Sequence, residues 1–354
     1  MKILLLGGTG AMGIYLSEIL SSEGHDVFVT TRKNRKHGKN ITYICGNAHN
    51  INFLSSLLST NRWDAIVDFM IYETQEFQVR AKLLLKSTFH YIFLSSSRVY
   101  ADSPLPITED CPRLLDVCQD KEYLATDEYA LRKARQENIL YQSGYKNWTI
   151  IRPYITFSEF RLQLGGMEKE FWLSRSLQNR PIVFSRDIAQ HTTTMTYGYD
   201  VAYGIAAICC KQQAKCEAFH ITGNQSFSWQ SILEQYVEII EQKLKHPVKV
   251  VMLEKSLQLA GNGKYQIIYD RYYDRYFNNS KIYKFMPPEK FHNSVETLKE
   301  CLNKFLENPI FTEKNVKYDA KLDRICGIKI PLSDLTGWKE KLQYTLSRYI
   351  LPIK

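Results

Sequence analysis

The sequence has no unbroken apolar stretch of roughly 18 residues, so no segment reads as a membrane-spanning helix. Its opening run, Met1-Lys2-Ile3-Leu4-Leu5-Leu6, is too short for a secretory signal and lacks a cleavage region. Proline (11) and glycine (17) are not enriched, and no repeat of roughly 20–50 residues is evident, which excludes low-complexity and solenoid classes. The eight cysteines (45, 111, 118, 209, 210, 216, 301 and 326) form no CxxC pair. The eight histidines form no HExxH or other ligand spacing, so no metal site is expected. Adjacent Cys209 and Cys210 fall in an apolar helical run and read as small packed hydrophobes. With no secretory segment, a reducing cytosol is the expected location.

What is present is an ordinary globular composition. A chain of 354 residues that is 44% hydrophobic can bury one large core or two medium ones. The formal charge of +9 would attract an anionic small substrate or a nucleic acid. Part of the excess is local, in Arg32, Lys33, Arg35, Lys36 and Lys39. No pattern of strand aromatics suited to RNA accompanies it, so nucleic acid is a lesser expectation that stays open.

The amino-terminal half carries the clearest pattern. Ile3–Leu6 reads as a buried strand, followed by Gly7-Gly8-Thr9-Gly10-Ala11-Met12-Gly13, an amphipathic helix to about Ser21, and a second strand at Val27–Thr31. Strand, glycine loop, helix and strand in this order make a dinucleotide fingerprint: the glycines let a pyrophosphate approach, and the helix start offers unpaired N–H groups and a positive dipole end. The second strand ends in Thr30-Thr31-Arg32-Lys33, where a carboxylate would serve the ribose of NAD. Thr31, Arg32 and Lys33 therefore point to NADP over NAD. A third strand, Ile41–Cys45, ends in Gly46-Asn47-Ala48, and a fourth, Asp64–Asp68, ends in Phe69-Met70; both ends should border the cofactor. Helices are expected at about 50–60 and 73–87. A fifth strand at Tyr91–Leu94 opens into Ser95-Ser96-Ser97-Arg98-Val99-Tyr100. A sixth, about Trp148–Ile151, precedes Arg152-Pro153-Tyr154. Tyr154 completes the expected cofactor contacts.

Between these two strands a long helix carries Tyr129-Ala130-Leu131-Arg132-Lys133. Tyr129 and Lys133 are four apart and share a face. A tyrosine titrates near pH 10, and a neighbouring ammonium favours its phenolate. With a serine from an adjacent strand end, such a pair can move a proton while a nicotinamide handles hydride.

On these landmarks the sequence resembles the extended short-chain dehydrogenase/reductase superfamily, in its NAD(P)-dependent epimerase/dehydratase group acting on nucleotide sugars. The matching segments are Gly7–Gly13, Ser95–Tyr100, Tyr129–Lys133, Arg152-Pro153 and the Pro106-Ile107-Thr108-Glu109-Asp110 loop. The resemblance implies catalytic Ser96, Tyr129 as acid–base and Lys133 as its activator and a nicotinamide-ribose ligand. Three departures stand out. Dehydratases of the group have an Asp-Glu pair where this chain has Ser97 and Arg98. The usual aspartate after the third strand is Asn47. The segment Trp63–Phe69 looks more like a branch with plastid RNA-binding relatives.

The expected fold is α/β: a Rossmann doubly wound parallel sheet with a smaller, mostly carboxyl-terminal substrate domain. The cofactor domain spans 1–160, with its sheet completed by about 198–225; 161–197 and 226–354 form the substrate-binding and carboxyl-terminal region. Helical patterns cover Ser226–Gln242, Val295–Leu306 and Trp338–Leu346. Three clusters could face a substrate: Phe171–Arg180, His191–Tyr197 and Tyr269–Arg275. The expected substrate contacts are Ser97, Arg98, Thr192 and Arg271. The functional expectation is an NAD(P)-dependent nucleotide-sugar epimerase, with an NADPH-dependent keto-sugar reductase and a non-catalytic RNA-binding relative as alternatives. A homodimer is one assembly this reading allows.

Overall fold

The structure is a computed structural model that describes residues 1–312 and 314–351. The chain divides into two compact units. The first comprises Met1–Phe160, Thr194–Ser226 and Arg275–Thr297. The second comprises Arg161–Thr193, Phe227–Asp274 and the residues from Leu298 on.

The first unit is built on β1 (Lys2–Leu6), α1 (Gly13–Ser22), β2 (Asp26–Thr31), β3 (Ile41–Cys45), α2 (Ile51–Ser59) and β4 (Trp63–Asp68). It continues with α3 (Thr74–Lys86), β5 (Thr88–Leu94), α4 (Tyr129–Tyr141), β6 (Trp148–Pro153), α5 (Gly198–Ile208) and β7 (Glu217–Ile221). The seven strands form one sheet in the order β7-β6-β5-β4-β1-β2-β3, and all pairings are parallel. The strand order runs outward in both directions from β1 and β4, so the crevice at their carboxyl ends is the topological switch point where such sheets bind ligands.

Burial on both faces explains why β1 is an unbroken apolar run. Ile3 and Leu5 pack with Leu16, Leu20, Val201 and Ile205 on one face. Leu4 and Leu6 pack with Leu54, Leu58, Phe77 and Leu84 on the other. The sheet begins and ends close to where the apolar pattern puts it, except at β5. That strand starts at Thr88 rather than Tyr91 because His90 is paid no attention by an apolar count, yet is fully buried with Nε2 on Thr149 Oγ1 at 2.7 Å. Arg275–Thr297, read from sequence as part of the carboxyl-terminal region, belongs to the first unit; its Ile282 and Met286 are buried in the cluster with Ile3 and Leu5.

The second unit pairs Ile182–Ser185 with Val250–Leu253 in parallel. Its helix Trp229–Leu244 starts three residues later than expected because Ser228, not Ser226, is the cap and accepts the Ser231 N–H. Trp172 stacks on Tyr236 with ring centroids 4.5 Å apart. No helix among the described residues is long and apolar enough to cross a membrane.

Candidate active site

The loop after β1 is shaped by four glycines with different duties. Gly7 has φ +70°, and its N–H donates to Thr30 Oγ1 at 2.8 Å, tying the loop to β2. A Cβ on Gly13 would lie 2.6 Å from the backbone of Gly8, and one on Gly8 would lie 2.8 Å from Leu5 Cβ, so α1 rests directly on the strand end. A Cβ on Gly10 would meet nothing within 4 Å, so the loop is open there. Helix α1 begins after Met12, which gives no side-chain cap, so its first N–H groups and the positive dipole end have no competing side chain. These residues fit a dinucleotide pyrophosphate. The end of β4 closes the loop from the side: Met70 Sδ lies 2.9 Å from where a Gly7 Cβ would be, and Phe69 is half-buried. Thr9, Ala11 and Met12 are half-buried, Ala48 is buried, and Asn47 is exposed with Oδ1 accepting the His49 N–H. Thr31 is buried, and its hydroxyl donates to Lys33 O at 3.0 Å; Arg32 and Lys33 are exposed. Tyr154 is buried with its ring against Phe277.

At the end of β5 three serines have three fates. Ser95 Oγ donates to Glu137 Oε1 (2.6 Å) and Ser97 Oγ to the Arg152 carbonyl (2.7 Å), both inside the fold. Ser96 Oγ accepts the Arg98 N–H at 3.2 Å and keeps its own O–H to donate. Helix α4 begins at Tyr129, capped by Glu128, whose carboxylate accepts the Ala130 N–H at 2.8 Å. One turn on, Lys133 is buried and its ammonium donates to the Leu94 carbonyl at 2.7 Å, which pins α4 to β5 just before the serines. Its Nζ stands 6.0 Å from the Tyr129 ring centroid. Arg98 pairs with Glu128 at 2.6 Å and holds its guanidinium 5.2 Å from the same centroid. The half-buried Tyr129 ring thus sits beside two cations.

Burial lowers Lys133 to about 8, against the opposing pull of the Asp68 and Glu137 carboxylates. Burial likewise raises Asp68, whose carboxylate accepts from Tyr91 Oη (2.8 Å) and Met70 N (3.0 Å), to about 6. The Lys133 ammonium is therefore present below about pH 8 and lost above it. Turnover should fall as pH rises through about 8, a limb that a kcat–pH profile will resolve. In Lys133→Arg the side chain stays charged, so the residual activity should lack that limb. An unchanged limb in this variant would detach it from Lys133.

The model of the NAD dependent epimerase/dehydratase family matches residues 3–209, more than half of the chain. The chain belongs to the NAD dependent epimerase/dehydratase family. It is similar to the chloroplast stem-loop binding protein of 41 kDa b of Arabidopsis thaliana, 28% identical over 240 residues. That match covers 63% of this chain and spans 59% of the length of the relative. Among solved structures, the chain is similar to the Bordetella bronchiseptica enzyme WbmH in complex with NAD+, with a TM-score of 0.66 at 15% identity over 87% of this chain and 99% of that one. It is also similar to UDP-glucuronic acid 4-epimerase from Bacillus cereus in complex with UDP-glucuronic acid and NAD, with a TM-score of 0.64 at 17% identity and the same shares covered. At these identities the solved structures establish the shared fold.

The family assignment brings corrections. The expected preference for NADP is overturned: five similar solved structures are complexes with NAD. Physically, a missing carboxylate after β2 removes one ribose contact without creating a phosphate site, and Arg32 and Lys33 stand exposed as a solvated basic turn does. Arg271 is buried, with Nε on the Gly165 carbonyl (2.9 Å) and Nη1 on Asp270, so its guanidinium is committed inside the second unit rather than held ready for a phosphate. Arg175 and Arg180 hold buried Asp323, and Arg275 holds the Tyr100 and Ala101 carbonyls. Thr192 is half-buried, and its N–H donates to Asp274.

Sequence reasoning missed three buried charged groups connected to Lys133 and Ser95: Asp68, Glu137 and, through Glu137, Arg152. Glu137 is fully buried and accepts from Ser95, from Arg152 Nε and Nη2 (both 2.8 Å) and from Arg113 (3.1 Å). Its position four residues after Lys133, on one helix face, was the available signal. Also unforeseen was a cavity of about 270 Å³ within the second unit, walled by Phe171, Val183, Phe184, Ile188, Leu253 and Ile267.

Proposed function

We propose that this protein is an NAD-dependent epimerase of a nucleotide sugar. The observation that carries the reading is the pinned α4: Tyr129 beside the ammonium of Lys133, with the free O–H of Ser96 on the strand end that Lys133 holds. Bound at the glycine loop, NAD supplies reversible hydride acceptance. Tyr129 takes the proton of a sugar hydroxyl as that carbon is oxidised and returns it after the opposite face has been presented. Lys133 stabilises the phenolate, and Ser96 donates to the substrate oxygen. Ser97 and Arg98 favour epimerisation over loss of water. Neither is a carboxylate; Ser97 is turned inward and Arg98 is paired with Glu128. Eight free thiols support a reducing cytosol as its location.

A nucleic-acid reading also has an observation behind it: the plastid relative's stem-loop binding and the exposed basic segment Arg32–Lys39. The catalytic arrangement, which binding alone does not require, favours the enzyme. The test is to identify the nucleotide carried by the purified protein by mass spectrometry, then incubate it with a panel of nucleotide-linked hexoses. Retained NAD and a change of sugar configuration with no net cofactor consumption are expected. Stoichiometric consumption of a reduced dinucleotide would replace the epimerase with a reductase. Salt-resistant RNA binding with no turnover on any sugar would overturn the enzyme reading.

A further inference from the structure

Cys209 is buried in the core and Cys210 packs against its edge, as their apolar surroundings suggest, and a turn sets the two thiols side by side. Helix α5 ends at Ile208, and the Lys211 N–H returns to the Ile208 carbonyl at 3.0 Å, closing a four-residue turn. Cys209 has φ −57° and ψ 129°, and Cys210 has φ +59°. These are the angles of a type II turn, whose third position glycine normally occupies because a side chain there is strained. The strained position holds a thiol, and the turn brings the two Sγ atoms to 4.0 Å. Cys209 is buried among Leu20, Ile205 and Ile208, while Cys210 is half-buried and reachable. The Cys210 N–H donates to His90 Nδ1 at 2.9 Å, which ties the turn to β5, and the Cys210 Sγ lies 3.6 Å from the Asp64 carbonyl.

We propose that Cys209 and Cys210 form a peroxide-sensitive dithiol that closes reversibly to a vicinal disulfide. Cys210, as thiolate, attacks one peroxide oxygen; an S–O bond forms, the O–O bond breaks, and the departing hydroxide leaves as water with one proton. Cys209 then attacks the resulting sulfenic sulfur; the S–S bond forms, the S–O bond breaks, and the second water leaves with the Cys209 proton. Two thiols lose two electrons and two protons, and peroxide is reduced to two waters. The groups around Cys210 support its role as the attacking atom. The contact with Cys209 draws the Cys210 thiol down from its ordinary value, while burial and Asp64 oppose it. The same shared contact and burial push the Cys209 thiol well up, which leaves Cys210 as the first attacking sulfur. Adjacent Cα atoms lie only about 3.8 Å apart, short of the usual disulfide span, so the ring is strained and easily reduced. That strain makes the bond a reversible mark rather than a structural staple.

The test treats the full-length protein with about one equivalent of hydrogen peroxide, blocks remaining thiols with N-ethylmaleimide, and maps peptides without reduction. The peptide holding both cysteines should be about two mass units lighter and unalkylated, and dithiothreitol should restore it. It should react before the exposed Cys45. In Cys209→Ser, dimedone should trap a sulfenic acid at Cys210. Two maleimides on the wild-type pair after exposed Cys45 has oxidised would overturn the proposal, as would dimedone labelling of Cys209 rather than Cys210 in the corresponding single variants.

Discussion

Tyr129→Phe should lower kcat by about 10²–10⁴-fold, the usual worth of a positioned general acid–base. The substitution removes one oxygen and keeps the ring, so the neighbours that face it, Arg98 at 5.2 Å and Lys133 at 6.0 Å, keep an aromatic face to lie against. Stability should change by less than about 0.5 kcal/mol, because the ring is half-buried and its packing survives. NAD content after purification should be unchanged, since the pyrophosphate cradle lies at Gly7–Gly13. The loss should fall on kcat and on kcat/KM together, the pattern of an interaction made in the transition state. Sugar-nucleotide turnover, cofactor content and a denaturation curve measured on one preparation decide the matter. Near-normal turnover would remove Tyr129 from the chemistry. Loss of cofactor together with activity would make the residue structural.

The cofactor unit was legible because its signals are local. β1 is buried on both faces and so reads as an apolar run, and the glycines that follow answer to steric demands within a few residues of themselves. Tyr129 and Lys133 were legible because helical spacing places them together without any knowledge of the fold. The arginines were not. Arg175 meets Asp323 from 148 residues away and Arg271 meets Gly165 from 106, and no pattern along the chain announces such partners. An arginine in a polar, aromatic-rich stretch looks the same whether it awaits a phosphate or closes an ion pair. The cofactor preference failed for a related reason: the absence of an acidic side chain at Thr31 and Arg32 was read as the presence of a phosphate ligand. The packing of the thiol pair was legible in its apolar run, whereas the left-handed turn at Cys210, which depends on how the helix ends, was not.

Glu137→Ala should destabilise the first unit by about 3–5 kcal/mol, the cost of stranding a buried charge. Glu137 and Arg152 are both buried, and the carboxylate receives two bonds of 2.8 Å from that guanidinium. Removing it leaves Arg152 with Tyr100 Oη (3.0 Å), the Glu109 carbonyl (3.1 Å) and Tyr141 Oη (3.2 Å) as acceptors, none of them charged. Arg113 suffers less, since Asp116 and Asn138 still hold it. A double variant, Glu137→Leu with Arg152→Met, should recover much of the loss, because replacing both charges by apolar groups also removes their desolvation cost. Urea denaturation of the three proteins checks this, and a Glu137→Ala variant within about 0.5 kcal/mol of the parent would refute it. The same network reaches the chemistry. Glu137 holds Ser95 at 2.6 Å, next to Ser96, and lies one turn from Lys133, whose charge its carboxylate supports. Glu137→Gln keeps the shape and removes that support, so the falling limb near pH 8 should move to lower pH. A residue that only filled space would leave the limb where it was, so the shift separates an electrostatic role for Glu137 from a purely structural one.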